Sequence, residues 1–200
     1  MSLDSFSGRL SLAPSPWSSV STWWGFLADH ERNGAAMHRY GAQITVMRRA
    51  IAGGVLATSL MYGANVHHHT GVDHSALHGG QPTSPHQRSN SVLLETDLGI
   101  GTRSSLLARI EHVEKNAQEL GFIGGDLTQK FNIRGLTLAF THDITEWGNA
   151  AFGFGARANV SSLPETLRYS YGTRRPVGYS LFAHLRPAVQ RPTQDQSITR

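Results

Sequence analysis

Residues Asn149–Ser161, NAAFGFGARANVS, alternate between two kinds of side chain. The even-numbered positions carry apolar residues: Phe152, Phe154, Ala156, Ala158 and Val160. From position 153 onward, the odd-numbered positions carry glycine or polar residues: Gly153, Gly155, Arg157, Asn159 and Ser161. Because successive side chains of a β-strand point to opposite faces, this pattern predicts a strand with one apolar face and one polar face.

Further stretches repeat this alternation, and almost no segment has helical periodicity. They are Asp4–Leu12, Ser18–Ala28, Met37–Arg49, Val55–Asn65, Ser89–Ile100, Arg103–Glu114, Lys130–Asp143 and Val177–Arg186. A helix over Ile110–Leu120 competes with the end of one strand, because four charged residues recur there at helical spacing. Such a helix would shorten that strand without changing the fold class. The nine alternating stretches together predict an all-β protein of about nine antiparallel strands.

The links between these strands alternate in length. Short links lie near 13–17, 50–54, 101–102 and 144–148, and long ones near 29–36, 66–88, 115–129 and 162–176. Barrels of the bacterial outer membrane have short periplasmic turns and longer outer loops. We therefore expect an antiparallel up-and-down transmembrane β-barrel of about 8–10 strands in the outer membrane of a Gram-negative bacterium.

The same rule places the start of the first strand outside the cell, and nine is an odd number of strands. Bacterial barrels of this kind have an even number and start from the periplasm. We therefore expect that at least one N-terminal strand and the export signal are missing from this sequence. Within the 200 residues, we expect one barrel domain over residues 1–188 and a polar tail over 189–200.

Composition restricts the other classes of protein. Hydrophobic residues make up 39% of the chain, and the longest apolar run, Ala50–Ala64, falls short of a spanning helix. There is no cysteine, which excludes disulfides, thiolate metal sites and cysteine nucleophiles. The net charge is +4 with scattered basic residues and no nucleic-acid motif, so we expect no nucleic-acid partner.

Seven charged residues within the predicted strands fall on the polar face. They are Arg9, Arg39, Glu95, Asp97, Arg109, Glu111 and Arg157. An arginine facing lipid near the middle of a membrane costs about 2–4 kcal/mol, so we expect these seven side chains to face a polar lumen. Two interpretations stay open: an interior filled by ion pairs, and a charged permeation path.

A histidine-rich segment lies in the longest link. Its candidate metal ligands are His67, His68, His69, His74 and His78, with Asp73 and His86 nearby. Neutral imidazole binds copper, nickel and zinc, so weak capture of a transition metal is one hypothesis. The alternatives are a polar loop that happens to be rich in histidine, and a loop that gains charge near pH 6. We expect no other cofactor.

No catalytic motif stands out. The sequence has no G-x-S-x-G, no H-E-x-x-H and no phosphate-binding loop. The pair His142–Asp143 would suit a hydrolase if a serine nucleophile lay beside it. No such nucleophile can be located from the sequence, so we expect the protein not to be an enzyme.

Four segments carry a resemblance to a family. They are DSFSGRLSLAPSPWSSVSTWWGFL from Asp4, SVLLETDLGIGTRSSLLARIEHVEKNAQEL from Ser91, FNIRGLTLAFTHDI from Phe131 and AAFGFGARANVSSLPETLRYSYGTRRPVGYSLFAHLRP from Ala150. Together they resemble the C-terminal half of a largely uncharacterised family of bacterial outer-membrane β-barrel proteins. The resemblance covers most of residues 4–187 and implies outer-membrane lipid and the barrel assembly machinery as partners. It carries no functional residues.

These observations favour one function and leave two alternatives. We expect a porin-like outer-membrane barrel that is a passive pore or a plugged surface protein, with an outer histidine-rich loop that captures metal weakly. The first alternative is a soluble periplasmic β-barrel that binds a small ligand. The second is an outer-membrane hydrolase, which would require a Ser/His/Asp set on neighbouring strands at one rim.

Overall fold

The computed structural model describes residues 5–28, 36–50, 53–68, 86–117, 119–122 and 129–187. Nine strands occupy most of this part of the chain: β1 Ser5–Ser15, β2 Ser18–Ala28, β3 Ala36–Arg49, β4 Val55–His68, β5 His86–Ile100, β6 Ser104–Asn116, β7 Lys130–Trp147, β8 Ala150–Ser162 and β9 Val177–Pro187. They form one sheet in sequence order, with every neighbouring pair antiparallel. The predicted all-β class and up-and-down order are confirmed.

Several strand boundaries differ from the predictions. β4 continues to His68 and β5 begins at His86, so the long link between them is shorter than 66–88. The helical alternative for Ile110–Leu120 is wrong up to Asn116, where β6 ends. In each case the ladder of backbone hydrogen bonds to the neighbouring strand continues past the last clearly alternating side chain, and side-chain pattern does not register this.

The sheet has two edges. Within the described ranges, β1 pairs with β2 alone and β9 with β8 alone. The sheet is therefore open at both sides rather than closed into the barrel that the sequence suggests.

A row of aliphatic side chains crosses the whole sheet. It contains one residue per strand, each directly opposite the next: Leu12, Val20, Ile44, Leu60, Leu94, Ile110, Leu136, Val160 and Val177. From Leu12 to Leu136 these side chains are 37–62% exposed. The row starts near the short-turn end of β1 and ends at the first residue of β9, beside a long link. From β1 to β9 the row therefore shifts from the short-turn end toward the long-link end of the strands. Tilted strands of a barrel show the same stagger.

The polar face of the sheet is concave. The guanidinium of Arg186 on β9 donates a hydrogen bond of 3.2 Å to the carbonyl of Thr102, in the turn between β5 and β6. In a flat sheet β9 and β6 would lie about 14 Å apart, since neighbouring strands are spaced by about 4.8 Å. Side chains from β5 to β9 also line one pocket of about 330 Å³ on this face. The sheet therefore curls toward its polar side, and the aliphatic row lies on the convex side.

A small apolar cluster lies at the long-link end of the concave face. Phe131 at the start of β7 packs there with Ala117, Leu163 and Leu167, all of them buried. Leu167 ends a 3₁₀ turn, Glu165–Leu167, which leads into a one-turn helix, α1, Arg168–Tyr171. The link between β8 and β9 thus folds over one end of the polar face and covers it with apolar side chains.

Among the described residues, no helix is long and apolar enough to span a membrane.

Candidate functional site

The strand register places all seven predicted lumen charges on the concave face. Glu95 and Arg109 lie directly opposite each other on β5 and β6. Asp97, Arg109 and Arg157 line the same pocket of about 330 Å³. Glu111 lies one alternate position along β6 from Arg109, whereas Arg9 and Arg39 lie far away on β1 and β3. The structure therefore groups the charges of β5, β6 and β8 and leaves two arginines apart.

An ion pair joins Glu95 to Arg109. The Nε of Arg109 donates to Oε2 of Glu95 at 2.7 Å. The two side chains are 29% and 38% exposed, so the pair lies on an accessible surface. It is a partly hydrated pair whose contribution to stability is small.

Large side chains on the concave face lie over glycines of the neighbouring strand. A Cβ at Gly41 would overlap the ring of Trp23, and one at Gly155 would overlap the ring of Phe182. Gly135 receives Glu111 in the same way, at 2.7 Å. At Gly8, on the convex face, an added Cβ meets nothing within 4 Å. This contrast shows that the concave face is crowded, as the narrow interior of a small barrel is.

A buried carboxylate near the short-turn end organises a second cluster. Asp143 on β7 is 3% exposed. Its Oδ1 forms a hydrogen bond of 2.8 Å with Nε2 of His184 on β9, and its Oδ2 pairs with the Arg186 guanidinium. Arg186 also donates from Nε to Oδ1 at 3.3 Å. Three charged or polar groups and the Thr102 carbonyl therefore tie β7, β9 and the β5–β6 turn together.

Sequence reasoning did not find this cluster. Alternation placed His184 and Arg186 on the polar face, but nothing local indicated that they meet Asp143. Gly153 of β8 lies directly opposite both Asp143 and His184, and it has no side chain to separate them. A glycine flanked by polar-face charges on both neighbouring strands is the signal that could have suggested the contact, once the register was known.

The structure separates the elements of a catalytic triad. His142 Nδ1 lies 2.8 Å from Ser104 Oγ, but both residues lie on the convex face. Asp143, the next residue, points to the concave face and cannot orient His142. On the concave side His184 Nδ1 is buried and has no hydrogen-bond partner among the described residues. Each histidine thus has one partner, and neither lies between a serine and a carboxylate.

The histidine-rich link is described only at its two ends. His67 and His68 belong to β4, where the backbone of His68 lies opposite His86 of β5. Their prediction as loop residues is therefore wrong, because the β4–β5 ladder continues through them. His69, His74 and His78 lie outside the described residues. Across the described ranges, no group of three or more potential ligand side chains is placed to hold a metal ion.

Comparison with protein-family models, curated proteins and solved structures finds no match to this chain.

Proposed function

We propose that this chain is an outer-membrane β-barrel protein whose convex face contacts lipid and whose concave face forms a polar interior. The observation that carries the proposal is the exposed aliphatic row on the convex face, with ionic groups gathered on the concave face. In a soluble barrel that binds an apolar ligand, the apolar side chains would line the concave side instead. The curvature of the sheet therefore favours the membrane protein over the soluble alternative.

The extent of the apolar surface supports lipid as its partner. The convex face exposes, among others, Phe140 (45%), Phe154 (51%), Leu138 (49%) and Leu181 (87%). Soluble monomers rarely expose apolar patches larger than several hundred Å². Lipid tails cover such a surface with no need for shape complementarity, which suits a face that spans nine strands.

Several polar groups on the convex face pair with each other. Thr58 and Thr96, on neighbouring strands within the apolar band, share a hydrogen bond of 3.3 Å, and Ser104 pairs with His142 nearer the short-turn end. In hydrocarbon, a polar group without a hydrogen-bond partner costs on the order of 2–7 kcal/mol, so pairing makes these residues compatible with lipid. Toward the long-link end the face becomes polar, and Asn90 there donates to Glu114 at 2.6 Å. Such a change is expected where a barrel leaves the hydrocarbon.

The crowded concave face favours the plugged form of the barrel over a wide pore. Side chains from adjacent strands fill the space over glycines, and Asp143, His184 and Arg186 bridge non-neighbouring strands. The apolar cluster around Phe131 and Leu167 covers part of the long-link end. We therefore propose a surface barrel with a largely filled interior, in which the histidine-rich link binds transition metal weakly.

Two adjacent leucines of β6 provide the test. Leu106 lies on the convex face and Leu107 on the concave face, opposite Asp97 and Ala139. Because the chain has no cysteine, Leu106→Cys and Leu107→Cys each accept a single environment-sensitive fluorophore. In lipid vesicles, quenchers attached to acyl chains should quench the label at 106 and leave the label at 107 largely unaffected. A protein that stays out of the membrane fraction, or a label at 107 quenched as strongly as the one at 106, would refute the proposal.

One observation favours the hydrolase as a second candidate. The Ser104–His142 contact of 2.8 Å resembles the nucleophile–base half of a serine hydrolase site. Asp143 faces away from it, so the pair lacks a neighbouring carboxylate on its own strand. We rank this function second to a barrel without enzymatic activity. Labelling of Ser104 with a fluorophosphonate probe decides between the two.

A further inference from the structure

A groove runs along β8 on the convex face. Its floor is formed by Ala156 and Ala158, which are small and exposed. Larger side chains of the neighbouring strands form its walls: Leu138 and Phe140 on β7, and Tyr179 and Leu181 on β9. The space between these walls measures about 540 Å³ and is almost wholly apolar. A flexible acyl chain suits such a groove, because hydrophobic binding requires apolar contact and no fixed direction.

The groove leads toward the long-link end of the sheet. On the convex face of β8, Ala156 and Ala158 are followed by Val160 and then by Ser162. At about 3.4 Å per residue, Ala156 and Val160 are about 14 Å apart along the strand. One leaflet of a bilayer has a hydrocarbon depth of about 15 Å, half of a core of roughly 30 Å. A lipid whose acyl chain lies along the groove therefore has its headgroup near Ser162.

A cation lies beside this end of the groove. Arg134 of β7 lies directly opposite Ser162 on one side and His112 of β6 on the other. All three residues are on the convex face, one alternate position beyond the aliphatic row, and Arg134 and Ser162 are exposed. Guanidinium, imidazole and hydroxyl groups all donate hydrogen bonds, and a guanidinium binds phosphate with two of them. The three side chains therefore present donors to an anion at the edge of the hydrocarbon.

Two carboxylates of the long-link end are engaged with other partners. Glu114 of β6 accepts hydrogen bonds from the backbone and the side chain of Asn90 on β5, at 3.1 and 2.6 Å. Glu165, in the link that follows β8, pairs with two arginines of that same link. Among the residues that the structure describes, Arg134 forms no ion pair. A cation at the hydrocarbon edge without a carboxylate partner favours an anionic lipid over a neutral one.

We propose that this part of the convex face is a binding site for an anionic, phosphate-bearing lipid. One acyl chain lies in the groove over Ala156 and Ala158, and the phosphate accepts hydrogen bonds from Arg134, His112 and Ser162. This inference rests on the proposed function, because only a convex face that contacts lipid presents the site to a membrane. It adds a preference for one class of lipid at one place on that face.

Two single-cysteine variants, each carrying a small environment-sensitive fluorophore, compare this site with the rest of the convex face. Val177→Cys at the start of β9 lies beside the site, directly opposite Val160. Ile44→Cys on β3 lies in the same aliphatic row, but far from Arg134 on β7. Both are reconstituted in phosphatidylcholine vesicles with a small fraction of brominated lipid, either phosphatidic acid or phosphatidylcholine. Bromine quenches nearby fluorophores, so the ratio of quenching by the two lipids measures the local preference for the anionic one.

We expect brominated phosphatidic acid to quench the label at 177 about fivefold more strongly than brominated phosphatidylcholine does, the preference that one basic residue near a membrane surface gives. The label at 44 should respond equally to the two lipids. Arg134→Gln should lower the ratio at 177 to nearly one, whereas Arg134→Lys should keep most of it. Arg103→Gln, which removes the same charge from the short-turn end, should have no effect.

A matched pair of alanines tests the groove. Ala108 of β6 and Ala158 of β8 lie opposite Leu138 on its two sides, but only Ala158 lines the groove. Ala158→Phe should fill the groove and lower the ratio at 177 toward one, and Ala108→Phe should leave it unchanged. Quenching at 44 by brominated phosphatidylcholine is the folding control for each variant. Inorganic phosphate in excess should not change the ratio, because the acyl chain holds the lipid in place.

Four results would overturn the inference. The first is an equal ratio at 177 and 44, and the second is a ratio at 177 that survives Arg134→Gln or Ala158→Phe. The third is a preference lost in inorganic phosphate, which would assign the cation to a free anion. The fourth is a label at 177 that is shielded from both brominated lipids while the label at 44 is quenched, because another protein chain would then cover the groove.

The experiment separates this inference from the proposed function. Absence of quenching at both positions by either lipid contradicts the proposed function. Quenching at both positions with an equal response to the two lipids contradicts the anionic-lipid site alone.

Discussion

His184 on β9 lies 2.8 Å from the carboxylate of Asp143 on β7, although a whole strand separates them. Strands two positions apart are spaced by about 10 Å, so side chains meet across the middle strand only where that strand offers no obstacle. Gly153 of β8 meets this requirement, because it lies opposite both residues. One glycine thus makes possible a polar contact that joins β7 to β9 across β8 at the short-turn end of the concave face.

Replacing Gly153 by alanine should destabilise the folded sheet. The added Cβ would clash with the backbone carbonyl of His142 on β7 and would lie 2.8 Å from Nε2 of His184, so the backbone and the histidine must move. Overpacking of this kind typically costs about 1–3 kcal/mol of the free energy of unfolding. Urea unfolding in lipid or detergent measures this loss. Gly8→Ala on the convex face is the matched control and should cost little, because nothing lies within 4 Å of its Cβ. Equal stability of the two variants would contradict the crowded concave face.

Two adjacent leucines of β5 should respond differently to a charge. Leu94 lies on the convex face between Leu60 and Ile110, whereas Leu93 lies on the concave face between Met61 and Glu111. We expect Leu94→Arg to lower the free energy of unfolding in lipid by about 2–4 kcal/mol, the cost of a cation in hydrocarbon. Leu93→Arg should be tolerated better, since it brings a cation to Glu111 in a polar environment. A reversed order of the two variants would mean that the faces are assigned wrongly.

Two carboxylates of the concave face should differ in their contribution to stability. Asp143 has a side chain that is 4% exposed, whereas that of Glu95 is 29% exposed. Asp143→Ala leaves His184 and Arg186 without their partner, and we expect a loss of about 2–4 kcal/mol, somewhat below a fully buried pair because Arg186 is partly exposed. Glu95→Ala should cost at most about 1 kcal/mol and lose its effect in high salt. Unfolding at low and high ionic strength gives both values, and similar costs would contradict this ranking.

The untagged protein should bind to immobilised nickel if the histidine-rich link captures metal. We expect retention at pH 8 and release near pH 6, where protonated imidazole no longer binds metal. A variant with His67, His68, His69, His74 and His78 all changed to alanine should pass through the column. Equal retention of both proteins would show that the link is not the metal-binding segment.

Ser104 should not react as a nucleophile. Its Oγ contacts His142, but Asp143 points to the other face of the sheet. We therefore expect a fluorophosphonate probe to leave the protein in outer-membrane vesicles unlabelled, with Ser104→Ala as the control. Labelling of the parent protein that disappears in Ser104→Ala would instead support the hydrolase.

The sequence by itself determined which residues share a face and in what order the strands follow. Alternation with a period of two is a local property, so Phe154 and Arg157 could be assigned to opposite faces without knowledge of any partner strand. The same pattern predicted nine strands with nearly the observed bounds. It missed the extensions into His68 and His86, because backbone pairing there continues without a clear side-chain pattern.

Only the tertiary structure decided the register, the curvature and the state of the edges. Which residues lie opposite each other depends on pairing between strands distant in sequence, and local alternation does not specify it. The meeting of Asp143 with His184 and the passage of Arg186 to Thr102 follow from that register and from the curl toward the polar side. The free edges of β1 and β9 likewise became visible only when all nine strands took their places in one sheet.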